Sequence, residues 1–281
     1  MKHGRTQLIS AVALGLVTTS CAIGPMTNDG VFASDLHVAT TVEACRESLQ
    51  QPAVHSHIGL GSEIELLNWN IKKGSRSVWQ DDLRSMAVGA DLVVLQEAAV
   101  EIGIETEVPH LQHSSFARGF VSASKTTGVA TFSSAAPVSE CRFQVVEPLL
   151  RTPKATSITA YPLAEKSENL LVVNLHAVNF TLGVARYGEQ IGQVRAVIDA
   201  HDGPAILSGD FNTWNRKRLD LVNELVSDFG FSPVPMHTDD RKTFNGYPLD
   251  HVFVRGFETA SGATSSVRSS DHNPMTIELQ L

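Results

Sequence analysis

The chain has no Gly-x-Ser-x-Gly elbow of the kind that presents a nucleophilic serine, and no Cys/His ligand set at zinc spacing. Neither a serine hydrolase nor a zinc centre is therefore indicated. An excess of positive charge is also lacking. The formal net charge of −8 argues against a surface that condenses nucleic acid nonspecifically, because Lys and Arg drive that binding, although a local basic groove stays open. There is no internal repeat, no low-complexity block and, beyond the amino terminus, no apolar run approaching the roughly 20 residues a spanning helix needs. What is present is an ordinary globular composition, 42% hydrophobic and 19% charged over 281 residues, able to bury a sizeable core.

The amino terminus differs in kind. Lys2, His3 and Arg5 precede a short apolar run from Leu8 to Val17, the pattern of a secretory signal over residues 1–21. That run ends in Thr18-Thr19-Ser20-Cys21-Ala22, which resembles a bacterial lipoprotein box with Thr18 where a Leu-like residue is usual. Two outcomes follow: a lipid tether on Cys21 or plain cleavage nearby. Either way the expectation is an exported protein, periplasmic or membrane-anchored. Export would permit Cys45 and Cys141 to pair, and two isolated small residues fit the sequence as well. Residues 22–62 mix Gly, Pro, Ser, Thr and acidic residues and read as a linker or leader, with the catalytic domain spanning 63–281.

From Glu63 onward, strand and helix patterns mix. Strands are expected at 64–71, 91–96, 129–132, 157–161, 170–175, 205–208, 249–254 and 275–279, the run Leu92-Val93-Val94-Leu95 suiting a strand covered on both faces. Helical spacing joins Trp79, Leu83 and Met86, then Tyr187, Ile191, Val194 and Ile198, then Leu219, Val222, Leu225, Val226 and Phe229. Runs of strands with few helices favour two packed sheets with helices outside over a simple parallel sheet.

Four expected strand ends finish in residues that are costly to cluster: Trp69-Asn70, Gln96-Glu97, Gly209-Asp210-Phe211-Asn212 and Ser269-Ser270-Asp271-His272-Asn273-Pro274. A single acidic residue there is usually a turn or cap residue. In this order and spacing, however, the four resemble the signature of the endonuclease/exonuclease/phosphatase superfamily, over roughly residues 63–281. The runs Val173 to Gly183 and Pro248 to Phe253 look most like its YafD-like bacterial branch. The resemblance implies an α+β, four-layer α/β sandwich of the DNase I-like kind, two mostly antiparallel sheets flanked by helices. It also implies metal-dependent hydrolysis of phosphate esters.

Residue chemistry agrees with those roles. Glu97 is a hard oxygen donor and Asn70 a neutral one, a pair suited to Mg²⁺ or Mn²⁺. Asp271 matches a further metal-binding position of the family. On an extended chain Asp210 and Asn212 would share one side while Phe211 enters the core. The resemblance makes Asp210 the residue that orients or deprotonates the attacking water, and Asn212 its helper. His272 can exchange a proton near neutral pH and Asp250 matches its partner, whereas His251, facing the other way, is expected to be structural. His176 stands at a second catalytic histidine position of DNase I-like members, without the acidic partner found there, since Thr127 to Phe132 carries no carboxylate. Asn179 resembles a phosphate- or water-binding Asn. Arg151, with Lys154 close behind it, precedes a strand where members place an Arg toward phosphate. Trp214 and the run Asn215-Arg216-Lys217-Arg218 follow the Asp210 strand, where Trp214 and Arg216 would contact substrate.

The leading expectation is thus a phosphodiesterase acting on DNA or RNA. The alternatives are a lipid or small-molecule phosphoesterase and a noncatalytic binding module. No apolar surface hairpin of the kind expected for lipid insertion is evident in the sequence, and no protein partner is indicated.

Overall fold

The computed structural model describes residues 36–50, 59–164 and 166–281. The expected signal segment and Cys21 lie outside them. Two seven-stranded sheets pack face to face. The first runs β1 (Val38–Ala39), β6 (Ser139–Val146), β7 (Pro153–Pro162), β8 (Asn169–His176), β9 (Ala205–Asp210), β14 (Asp250–Arg255) and β10 (Ser232–Pro233). The second runs β11 (Met236–Thr238), β15 (Thr259–Thr264), β16 (Met275–Gln280), β2 (Glu63–Asn70), β3 (Leu92–Ala99), β5 (Thr126–Ser133) and β4 (His113–Val121). A separate hairpin joins β12 (Thr243–Phe244) to β13 (Tyr247–Pro248). Pairing is mostly antiparallel, with parallel contacts at β1–β6, β8–β9, β2–β3 and β11–β15.

Period-two alternation sorts the side chains into layers. Leu170 and Val172 on β8, Ile206 on β9, Leu66 on β2 and Leu92 and Val94 on β3 meet between the sheets. Their neighbours Leu171, Val173 and Leu175 point outward beneath α1 (Val42–Leu49), α3 (Ala185–Ile198) and α4 (Arg216–Asp228). On the far side Leu67, Trp69, Val93 and Leu95 pack under α2 (Trp79–Met86). The result is the four-layer sandwich expected from the resemblance.

The inter-sheet rows change character along their length. After the aliphatic residues come Asn68, Gln96 and Asn174, where the Gln96 amide donates to Asn68 Oδ1 at 2.9 Å and Asn174 Oδ1 at 3.0 Å. One step further along the same faces stand Asn70, His176 and Asp210. The reactive residues therefore occupy the open end of the gap between the sheets.

The stretch expected to be a leader contains β1 and α1. Thr41 caps α1 by accepting the Ala44 amide at 3.2 Å, and Cys45 is disulfide-bonded to Cys141 of β6, with Cα atoms 5.6 Å apart. Short apolar groups hid this element, because a single helix face closed by a disulfide needs few hydrophobes.

Candidate active site

Asp210 closes β9 directly after Gly209, which the parallel neighbour β8 dictates. A Cβ at Gly209 would lie 2.0 Å from the Leu175 carbonyl oxygen, and φ there is +142°. Register then sets Asp210 beside His176 on one flank and Asp250 on the other. All three side chains share one face, and all are buried.

The loop carrying His272 reaches this row from the second sheet. Trp69 Nε1 donates to the His272 carbonyl at 3.0 Å, Ser270 Oγ donates to the Asn70 carbonyl at 2.6 Å, and Arg76 donates to the Ser270 carbonyl at 2.7 Å. Anchored so, His272 Nδ1 lies 2.7 Å from Asp250 Oδ2 and its Nε2 lies 3.9 Å from Asp210 Oδ2. Burial alone would lower His272, but the charges of Asp250 and Asp210 and the Asp250 hydrogen bond outweigh it and push the imidazole up to about 10. Burial pushes the Asp210 carboxyl up to about 6 against the opposing pull of His272. Asn70 Nδ2 and the Asn212 amide each donate to one oxygen of that carboxyl at 3.0 Å.

Asn212 departs from the alternation expected of it. The chain stops being extended after Asp210, and Asn212 adopts a left-handed φ of 49°, which Asn tolerates because its short amide bonds locally. Its Nδ2 donates to the Ala177 carbonyl at 3.0 Å. Phe211 does enter the core, edge-on to His251 and Phe253. His251 faces away from Asp250 and bonds Thr213 Oγ1 at 2.7 Å.

Glu97 is aimed by a β-bulge. The β3–β5 register shifts between Gln96 and Ala98, Glu97 takes φ 50°, and its carboxylate turns into a cleft. Glu97 Oε2 meets Lys73 Nζ at 2.6 Å, and Asp271 Oδ2 meets Lys72 Nζ at 2.6 Å. Asn70 Oδ1 accepts the Lys72 amide at 3.1 Å and, as a carbonyl oxygen, retains a second lone pair. Two carboxylates that each hold a cation, and an amide oxygen with a lone pair left over, are oxygen donors of the kind a divalent ion takes. Asp210, Asp250 and His272 also present ligand atoms within 4.8 Å of one another. Within this trio the His272 imidazole and the Asp250 carboxylate already bond each other.

His176 finds its acidic neighbour in Asp210, whose Oδ2 lies 3.5 Å from Nε2. Burial, then the charges of Lys154, His272 and Lys73, hold His176 well below its ordinary range. The neutral ring accepts from Lys154 Nζ at 2.9 Å. Lys154, on β7, lines the cleft. Arg151 does not: it sits exposed at φ 54° in the turn before β7, its amide bonded to the Glu147 carbonyl.

Of the basic run, Lys217 is exposed and the other members bond within the protein. Asn215 caps α4, accepting the Arg218 amide at 3.1 Å, and Arg216 pairs with Asp220 one turn on. Arg218 is fully buried between the Tyr187 and Trp214 rings, donating to the carbonyls of Val178, Asn179 and Asn212. Asn179 Oδ1 accepts Trp214 Nε1 at 3.0 Å, which takes the indole N–H out of reach of a ligand. The charge run is a helix start and a buried clamp, a difference that only burial reveals.

Residues 67–272 match the family described as Endonuclease/Exonuclease/phosphatase. The chain is 38% identical over 256 residues to a UPF0294 protein of Vibrio vulnificus, covering 90% of this chain and 86% of the relative. It is 36% identical over 248 residues to another from Erwinia tasmaniensis, covering 88% of each. An endonuclease/exonuclease/phosphatase structure from Beutenbergia cavernae superposes with a TM-score of 0.61 at 17% identity, over 78% of this chain and 72% of that one. The chain therefore belongs to the endonuclease/exonuclease/phosphatase family, hydrolases of phosphate esters that generally depend on a divalent metal.

Proposed function

We propose that the chain is an exported, Mg²⁺-dependent phosphodiesterase. The observation that carries the reading is the Asp250–His272 pair at 2.7 Å beside a buried Asp210. Asp210, kept near neutrality in its affinity for protons and held by Asn70 and Asn212, accepts a proton from water as its oxygen attacks phosphorus. His272, charged through Asp250, donates to the phosphoryl oxygen or the departing ester oxygen as negative charge develops there. Lys154, braced on neutral His176, adds positive charge on the same side. Glu97, with Asn70 and Asp271, would hold the divalent ion, which when bound would polarise the phosphoryl group.

Export draws support from the Cys45–Cys141 disulfide, since such bonds persist in oxidising compartments. Of the residues behind the nucleic-acid expectation, Arg218 and the Trp214 indole nitrogen are bonded within the protein and Arg216 pairs with Asp220, whereas His176 lines the cleft and Lys217 is exposed. Hydrolysis in ¹⁸O-labelled water tests the chemistry. Label in the phosphate product, appearing only with Mg²⁺ or Mn²⁺, is expected; product without label, or turnover unaffected by chelation, contradicts the reading.

A further inference from the structure

Two clefts flank the catalytic row. One carries Glu97, Lys73, Lys154 and His176. The other, about 440 Å³ and within the size range of small-molecule sites, is lined by Leu149, Phe180, Trp214, Phe244 and Leu249, with Asn179, Thr181 and Asn212. Asn212 links it to the catalytic centre, lining the cleft while its backbone amide bonds Asp210.

This second cleft is built from three loops that leave apolar side chains in solvent. Leu149, Phe180 and Phe244 are each more than half exposed on its wall, and Leu150 and Leu182 extend the same loops. Phe244 stands on the β12–β13 hairpin, whose Asn245-Gly246 turn has φ of 51° and 80°. The hairpin thus sets one exposed phenyl ring on the surface. Sequence patterning missed it because two residues per strand are too few to alternate.

Of the polar side-chain groups on the wall, all but Asn179 Nδ2 and Asn212 Oδ1 bond within the protein. Asn212 Nδ2 is on Ala177, Asn179 Oδ1 is on Trp214, and Thr181 Oγ1 bonds the Gly183 carbonyl and Arg218. One Trp214 face is covered by the Arg218 guanidinium 4.5 Å from the ring centroid, and Phe244 meets that indole edge-on. A nucleobase would find few polar groups here to read, whereas a hydrocarbon chain needs only apolar walls.

We infer that this cleft takes the hydrocarbon portion of a lipid phosphate ester while the scissile phosphate lies on Asp210 and His272. The inference rests on the phosphodiesterase reading for its second half only. The loops with Leu149, Leu150, Phe180, Leu182 and Phe244 form the rim that meets the lipid surface.

The test uses methyl and octyl p-nitrophenyl phosphate below the micellar range, with calorimetric binding of methyl- and octylphosphocholine to metal-depleted protein alongside. Octyl compounds are expected to bind and turn over at least about tenfold better, with the gain in KM. Phe244→Ser should remove most of that gain and leave the methyl diester unchanged. Equal handling of both chain lengths in binding and turnover overturns the inference while leaving the phosphodiesterase reading intact. Preferential cleavage of DNA or RNA over the octyl diester overturns it too. Absence of hydrolysis with a persisting octyl preference in binding sinks the catalytic reading and upholds the cleft.

Discussion

The clefts on either side of the catalytic row are made from neighbouring strand ends yet offer opposite environments. On the Glu97 side the carboxylates of Glu97 and Glu147 and the ammonium groups of Lys73 and Lys154 line the cleft, a surface for charged and hydrated groups. On the Trp214 side Arg218 is buried behind the wall and bonded to backbone carbonyls. The contrast teaches that basic residues near an active site divide by burial into those that meet substrate and those that hold loops. Proximity in sequence to Asp210 does not distinguish them.

Removing the clamp from the apolar side has the largest expected effect. Arg218→Met leaves three buried carbonyls without their donor and unties Asn179, Thr181 and Asn212 together, and should cost about 3 kcal/mol or more in urea unfolding. A loss below about 1 kcal/mol would mean that Arg218 is not structural. On the charged side, Lys154→Met should lower kcat/KM about 30-fold, roughly 2 kcal/mol, and equally for methyl and octyl diesters. A chain-length-dependent effect would show that the clefts are not separate.

Behind the row, His251 is held down to about 4 by burial, with Arg241 adding to it, against an ordinary 6.5. A base with a depressed folded-state pKa contributes stability above pH 6.5 that is lost as pH falls toward 4. Linkage sets the loss between pH 7 and pH 5 at about 2 kcal/mol. Paired urea melts of wild type and His251→Gln should show the pH dependence shrinking by that amount in the variant, with no change in the chain-length preference.

How much of this was legible in the sequence depended on side-chain chemistry matching position. Strands β3 and β8 carry four-residue apolar runs and β2 and β9 shorter ones, and all were expected within a few residues. Strand β6, Ser139-Glu140-Cys141-Arg142-Phe143, was not, because a buried Glu140–Arg142 pair at 2.7 Å looks like surface in a sequence. Strands β4 and β15 escaped for the related reason that small and polar residues fill them.

At the site, Asp210, Asp250 and His272 could be named from their order along the chain. Their register could not, nor could the bulge that turns Glu97. Whether Arg151 or Lys154 reaches the cleft depends on where β7 begins, and it begins at Pro153, four residues before the expected strand. A short polar segment gives period-two patterning nothing to mark that start.

Steady-state hydrolysis of a phosphodiester by Asp210→Asn and His272→Gln, each shown to fold by circular dichroism and thermal melting, tests the central claim most directly. Both variants should fall by about a thousandfold or more in kcat, equally for methyl and octyl substrates. Activity within about tenfold of wild type in either variant would contradict the assignment of this row as the hydrolytic centre.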